Sequence, residues 1–164
     1  MPDNDPIRVL FVCLGNICRS PLAESVFRHL AQREGVEHRF AIDSAGTAGY
    51  HVGDPPDART VQTAQSRGVV VAGRARQFSS ADLAAFDYVI VMDSANLSNV
   101  KRIAERGGTP ARIHLLREWD PEAAGDDVPD PYYGGVRGFD DVHDIVERSC
   151  MRLLEHLLEE AEGG

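Results

Sequence analysis

Two apolar periods run along the chain. Val9-Leu10-Phe11-Val12 and Tyr88-Val89-Ile90-Val91-Met92 are nearly continuous apolar runs, as expected of strands buried on both faces of a parallel sheet. They predict strands over Arg8 to Val12 and Tyr88 to Met92, with shorter ones over His38 to Asp43 and Arg112 to Leu116. Between them the period changes to that of a helix. Pro21 to Glu34 repeats Leu22, Val26 and Leu30, with Ala23, Phe27 and Ala31 beside them, and Gly35 stops it. Further helices are expected over Asp57 to Arg67, ended by Gly68, over Ser80 to Phe86, capped from Ser79 or Ser80, and over Ser94 to Arg106, halted by Gly107-Gly108. A last helix, Asp140 to Glu160, carries Val142, Ile145, Val146, Cys150, Leu153, Leu154 and Leu157 on one broad face. Two stretches, Ser44 to Pro56 and Glu118 to Gly138, read as long irregular loops. Strands separated by helices imply β-α-β units, hence an α/β fold with a central parallel sheet of four strands.

Composition narrows this picture without redirecting it. The 164 residues suit one domain over 1–164, with 1–6 and 160–164 expected to fray. A formal net charge of -9 argues against a nucleic-acid or anionic-membrane surface, and a monomer is expected. Met1 to Pro6 lack the basic and apolar regions of a secretory signal, and no run approaches a membrane span. Three cysteines, an odd number, do not make a disulfide framework, which fits a reducing, cytoplasmic setting.

Candidate chemistry concentrates where the first strand turns into the first helix. Cys13 and Arg19 bracket five residues, Leu14 to Cys18, and the helix opens at Ser20-Pro21. A loop curling between a strand and a helix N-terminus turns its peptide N–H groups into its own centre and forms an anion nest. Cys13 sits at the base of such a nest, where the same field favours its thiolate. Arg19 grips two oxygens of a tetrahedral oxyanion. Gly15 supplies a position for positive φ or close approach to ligand, and Asn16 tolerates the left-handed region while its amide braces the loop. Ser20 caps the helix, with Pro21 at its first position, and its hydroxyl can donate to the sulfur. Glu24 falls one residue too late for a capping box and reads only as a first-turn acid.

The run Val12-Cys13-Leu14-Gly15-Asn16-Ile17-Cys18-Arg19-Ser20-Pro21 resembles the signature loop of the low-molecular-weight protein tyrosine phosphatases. That resemblance implies a three-layer fold with strand order 2-1-3-4, which places the loop at a topological switch point. It implies a metal-independent, cofactor-free hydrolase of phosphotyrosine proteins or small aryl phosphates, with inorganic phosphate as product. It also implies that Leu14 to Arg19 bind phosphate, that Ser44 braces the loop through Asn16, and that Tyr50 and His51 border the mouth. Cys18 is either a redox partner of Cys13, as the family suggests, or a small buried side chain. One departure concerns the histidine that precedes an Ala-Arg-Gln run in many members, where this chain has Gly73-Arg74 before Ala75-Arg76-Gln77.

A thiolate nucleophile also needs an acid for the leaving oxygen. Asp130 stands between Pro129 and Pro131, so a stiff backbone holds its carboxyl in place, and Asp130-Pro131-Tyr132-Tyr133-Gly134 resembles the family's general-acid loop. Tyr132 and Tyr133 offer an aromatic wall that, with Tyr50 and His51, makes a cleft. Two other uses of the scaffold are a thiol-dependent arsenate reductase and a non-catalytic phosphoanion-binding module. The first needs resolving cysteines, and none lies between Cys18 and Cys150; the second is expected to have lost Cys13, Arg19 or Asp130. A P-loop kinase is excluded because no Lys-Ser or Lys-Thr ends the glycine loop. Cys150 reads as core, Trp119 as a packing anchor, and the histidines at 29, 38, 51, 114, 143 and 156, which lack metal-ligand spacing, as surface or loop residues.

Overall fold

The computed structural model describes residues 5–107, 111–131 and 138–163. Strand β1 (Ile7–Cys13) leads into α1 (Arg19–Arg33), β2 (Phe40–Gly46), α2 (Ala58–Gln65), α3 (Ser80–Ala85), β3 (Tyr88–Val91), α4 (Ser94–Gly107), β4 (Arg112–Leu115) and α5 (Gly138–Gly163). The sheet is parallel throughout in the order β2-β1-β3-β4. β1 is therefore central, paired with β2 from Ile7↔Phe40 to Cys13↔Gly46 and with β3 from Val9↔Tyr88 to Val12↔Val91.

Strand alternation divides the interior into two cores. Val9, Phe11 and Cys13 project to one face of β1, where α1, α2 and α5 cover them. Phe27 of α1 anchors that layer, its ring 5.7 Å from Phe11 and 5.1 Å, edge-on, from Phe40. Leu10 and Val12 project to the other face, onto Leu83 of α3 and Val100 and Ala104 of α4. An apolar, buried run from Val9 to Cys13 follows from two covered faces, and Cys13 is its last residue.

Several boundaries differ from the sequence reading. β2 begins at Phe40 after a 3-10 turn over Glu37–Arg39 and runs on through Ser44-Ala45-Gly46, a stretch that composition assigns to loop. The extension exists because Gly46 has no side chain: a Cβ there would lie 2.7 Å from the Leu14 carbonyl oxygen. Helix α1 starts at Arg19, not at Ser20-Pro21, and Cys18 takes the cap position without a side-chain hydrogen bond. Ser20 thus lies inside the helix and is not its cap. Leu116 ends β4 in a 3-10 turn over Leu116–Trp119. Helix α5 continues to Gly163, and Tyr88 Oη donates to Glu160 Oε2 at 2.8 Å. His143 corrects the reading of all six histidines as surface or loop residues. It is wholly buried on α5, neither ring nitrogen has a hydrogen-bond partner among the described residues, and burial pushes its pKa down. Cys150 is buried in the core, and the half-buried Trp119 packs between the rings of His114 and His156.

The described part of the irregular segment, up to Pro131, is pinned by charge. Asp120, fully enclosed, accepts from Arg117 Nε at 2.8 Å and from Arg148 Nε at 2.8 Å. Further along, Val128 N–H donates to the Met92 carbonyl at 2.7 Å. Burial alone would raise the Asp120 pKa, but Arg148, the Glu122 N–H and Arg117 outweigh it and hold the group at about 2. A carboxyl whose folded pKa is depressed stabilises the fold above its unfolded pKa of 3.8 and loses that contribution as pH falls toward 2. The shift corresponds to about 2 kcal/mol at neutral pH. Denaturant titrations are expected to show that loss between pH 4 and pH 2 in the parent, and Asp120→Ala to remove the step while destabilising the protein by about 3 kcal/mol at neutral pH, because Arg117 and Arg148 lose the carboxylate they share. An unchanged acid profile in the variant contradicts this assignment.

Candidate active site

Cys13 ends β1 at the carboxyl edge of the sheet, and the five residues to Arg19 must turn sharply back into α1. The turn is built by fixing its carbonyls outward. Thr47 N–H donates to Cys13 O at 2.9 Å, Ala48 N–H to Leu14 O at 2.9 Å, Asp57 N–H to Ile17 O at 2.8 Å and Leu22 N–H to Cys18 O at 3.1 Å. In a trans peptide the carbonyl and the following N–H point in opposite directions. Carbonyls tied to the outside therefore direct the N–H groups of Leu14, Gly15, Cys18 and Arg19 toward the inside. Asn16 N–H points at the Cys13 sulfur, 3.3 Å away.

Asn16 is the hub of the turn. It is the one non-glycine among the described residues with positive φ, 56°, a region that asparagine tolerates. Its side chain holds it there: Nδ2 donates to Ser20 Oγ at 2.7 Å and to Ser44 Oγ at 3.0 Å, while Oδ1 accepts from Arg76 N–H at 3.0 Å. The Arg76 contact comes from the backbone of the Ala75-Arg76-Gln77 run, so it does not depend on the residue at Gly73. Ser20 Oγ lies 3.0 Å from Cys13 Sγ. Gly15 lines the loop without the positive φ considered for it, and its bare α-carbon admits the His51 ring, whose Cδ2 would lie 3.0 Å from a Cβ at this position.

Arg19 is buried to 3% exposure and anchored through one nitrogen. Nη1 donates to Asp93 Oδ2 at 2.7 Å and to the Val128 carbonyl at 3.0 Å, and Nη2 lies 3.9 Å from Asp130 Oδ2. Burial works against its charge, but the Cys13 sulfur, Asp93 and Asp130 outweigh it and raise its pKa. The role of Asp93 is not legible in the sequence. Its Oδ1 accepts from Asn96 N–H at 2.8 Å at the start of α4, leaving Oδ2 for Arg19. The available signal is an aspartate directly after the β3 run, at the same sheet edge as Cys13.

One open cavity of about 230 Å³ is lined by Cys13, Leu14, Gly15, Ile17, Cys18, Arg19, Tyr50, His51 and Asp130. The nucleophile candidate, the arginine, the acid candidate more than a hundred residues away and both mouth residues are thus brought together. Asn16, Ser20 and Ser44 stand behind the loop. Tyr132 and Tyr133 lie outside the described residues. Cys18 is a free thiol buried against Thr60, and burial pushes its pKa up to about 12. Glu24 is not a first-turn acid; it accepts from Ser44 Oγ at 2.6 Å and pairs with Arg28.

A family model described as low molecular weight phosphotyrosine protein phosphatase matches residues 8–162. The chain belongs to the low-molecular-weight protein tyrosine phosphatases. It is 46% identical over 138 residues to the Schizosaccharomyces pombe low molecular weight phosphotyrosine protein phosphatase, covering 84% of this chain and 88% of that protein. The human enzyme of the same description is 42% identical over 148 residues, covering 90% and 93%. Among solved structures, YfkJ from Bacillus subtilis superposes with a TM-score of 0.88 at 41% identity, covering 95% of this chain and 97% of that one. The reaction class of this phosphatase is phosphoric monoester hydrolysis, and the redox and binding-only alternatives are not favoured. No helix among the described residues is long and apolar enough to cross a membrane.

Alkylation separates the three thiols. Cys18 and Cys150 are held protonated by burial, whereas Cys13 faces the cavity with donors at its sulfur. Iodoacetate at mildly acidic pH is expected to modify one thiol per chain, blocked by inorganic phosphate and absent in Cys13→Ser. Fast labelling of Cys18 in the native protein would contradict the arrangement.

Proposed function

We propose that this phosphatase hydrolyses phosphotyrosine in proteins, and small aryl phosphates, through a cysteinyl-phosphate formed on Cys13. The observation that carries the reading is that Cys13, Arg19 and Asp130 line one cavity, with Arg19 Nη2 within 3.9 Å of the Asp130 carboxylate. The phosphate is held by the N–H groups of Leu14 to Arg19 and by the Arg19 guanidinium. Cys13 sulfur attacks phosphorus as the bond to the aryl oxygen breaks, and the Asp130 carboxyl gives its proton to that oxygen. Water then attacks phosphorus, loses a proton to the Asp130 carboxylate, and the S–P bond breaks to release inorganic phosphate. Ser20, donating to the departing sulfur, makes it a better leaving group.

Charge on the equatorial oxygens is met by groups already fixed in place, and one such donor is worth about 3 kcal/mol. Arg19 and the peptide N–H groups supply that role without a metal. Tyr50, 78% exposed on the rim, and His51 beside Gly15 offer flat surfaces to an aromatic leaving group. A cytoplasmic monomer acting on phosphotyrosyl proteins, with no nucleic-acid or membrane partner, accords with the net charge of -9 and the free cysteines.

An aryl phosphate assay in the presence of a chelator tests the mechanism. Turnover is expected to persist with the chelator, to follow a bell-shaped acidic pH profile, and to vanish in Cys13→Ser. Asp130→Ala is expected to lower kcat about 10²- to 10⁴-fold with phosphate binding largely kept. Normal turnover in Asp130→Ala would mean that another carboxylate is the acid; turnover in Cys13→Ser would overturn the covalent route.

A further inference from the structure

We propose that Glu24 is a positioning residue for the reaction: through Ser44 and Asn16 it strengthens the Ser20 hydroxyl as a donor within reach of Cys13, and so affects how well the sulfur carries negative charge. The inference rests on Cys13 being the nucleophile, which Cys13→Ser decides separately. Three side chains connect Glu24 to the sulfur in an unbroken series of four hydrogen bonds. Ser44 Oγ donates to Glu24 Oε1 at 2.6 Å, Asn16 Nδ2 donates to Ser44 Oγ at 3.0 Å and to Ser20 Oγ at 2.7 Å, and Ser20 Oγ stands 3.0 Å from Cys13 Sγ.

Proton counting gives this series one polarity. A hydroxyl has a single hydrogen, and a carboxylate only accepts. The Ser44 hydrogen therefore belongs to Glu24, and its oxygen is left with lone pairs for Asn16. The Asn16 amide cannot flip, because Arg76 N–H occupies its oxygen. Its second N–H then falls on Ser20 Oγ. Ser20 must direct its own hydrogen elsewhere, and the two acceptors in reach are the sulfur at 3.0 Å and the Ala45 carbonyl at 3.3 Å. Each donor received by a hydroxyl strengthens the bond it makes in turn. The strongest link, from Ser44 to a carboxylate, is thus the anchor of the bond that reaches the thiolate.

Glu24 is itself held for this task. Its other oxygen, Oε2, takes Arg28 Nη2 at 2.9 Å, and the same nitrogen donates to the Ile42 carbonyl at 3.1 Å, tying α1 to β2. The remaining charged groups around it are otherwise occupied. Asp43 pairs with Arg76, and Arg74 Nη1 donates to the Gly53 carbonyl at 3.0 Å. Asp43 and Arg74 line a small polar cavity with Glu24, Ser44 and Asn16, on the side of the loop away from the substrate. Glu24 does not line the substrate cavity, so its effect reaches the chemistry only through the series.

Glu24→Gln is the informative variant because it keeps the shape. Arg28 donates only, so it claims the new amide oxygen and turns the amide nitrogen toward Ser44, which then faces two donors. The polarity fails at its anchor. In Glu24→Gln, kcat is expected to fall about tenfold with KM nearly unchanged, and the acidic limb of the kcat/KM profile to move to higher pH, because the thiolate is less well held. The melting temperature is expected to stay near that of the parent. Ser44→Ala removes the same link, and the double variant is expected to be no worse than the worse single one. An unmoved acidic limb in Glu24→Gln, or losses that multiply in the double variant, would overturn the proposal. So would normal activity in Glu24→Gln with loss confined to Glu24→Ala and matched by a fall in melting temperature, which would assign Glu24 to packing.

Discussion

Cys13 is 3% exposed, and a negative charge on a sulfur so enclosed persists only where donors are aimed at it before substrate arrives. That requirement accounts for much of the local construction. The Asn16 N–H and the Ser20 hydroxyl reach the sulfur directly. They are held in place by outward ties on the loop carbonyls from Thr47, Ala48 and Asp57, residues that follow β2 or precede α2. Gly46 makes the tie possible by letting β2 run flush against Leu14 and Asn16. The nest is therefore a joint product of three separate stretches of chain.

Arg19 faces the matching constraint with opposite sign. A guanidinium buried in the first turn of α1 is stable because Asp93 and the Val128 carbonyl fix one nitrogen, while the other remains near Asp130 in the cavity. Asp93 is fixed by its second role at the start of α4, and Val128 by its bond to Met92 at the end of β3. Because Val128 precedes Pro129-Asp130, the chain that grips Arg19 also brings Asp130 to the cavity. Cys13, Arg19 and Asp130 are thus gathered at the β1 and β3 ends of the sheet, where the strand order reverses.

What could be read from the chain follows from how local each signal is. The strands of the central sheet and the loop from Cys13 to Arg19 are legible because apolar runs and a contiguous motif are local statements. Asp130 is legible because two prolines mark it. Ser20 as a cap and Glu24 as a first-turn acid fail because helix α1 begins at Arg19, and Gly15 as a positive-φ position fails because the left-handed residue is Asn16. Asp93 and Glu24 gain their roles from partners 74 and 20 residues away, which no periodicity encodes. His143 shows the limit from the other side, since a polar residue on an amphipathic helix is buried here without a hydrogen-bond partner among the described residues.

The central claim is that phosphate passes through the sulfur held in this nest. Acid quenching during turnover of an aryl phosphate, followed by mass spectrometry of proteolytic fragments, tests it most directly, best in Asp130→Ala where both steps are slowed. The account predicts a phosphoryl adduct on the fragment containing Cys13, formed in a burst with the released phenol and absent in Cys13→Ser. Steady turnover with no adduct, or with the adduct on another residue, would contradict it.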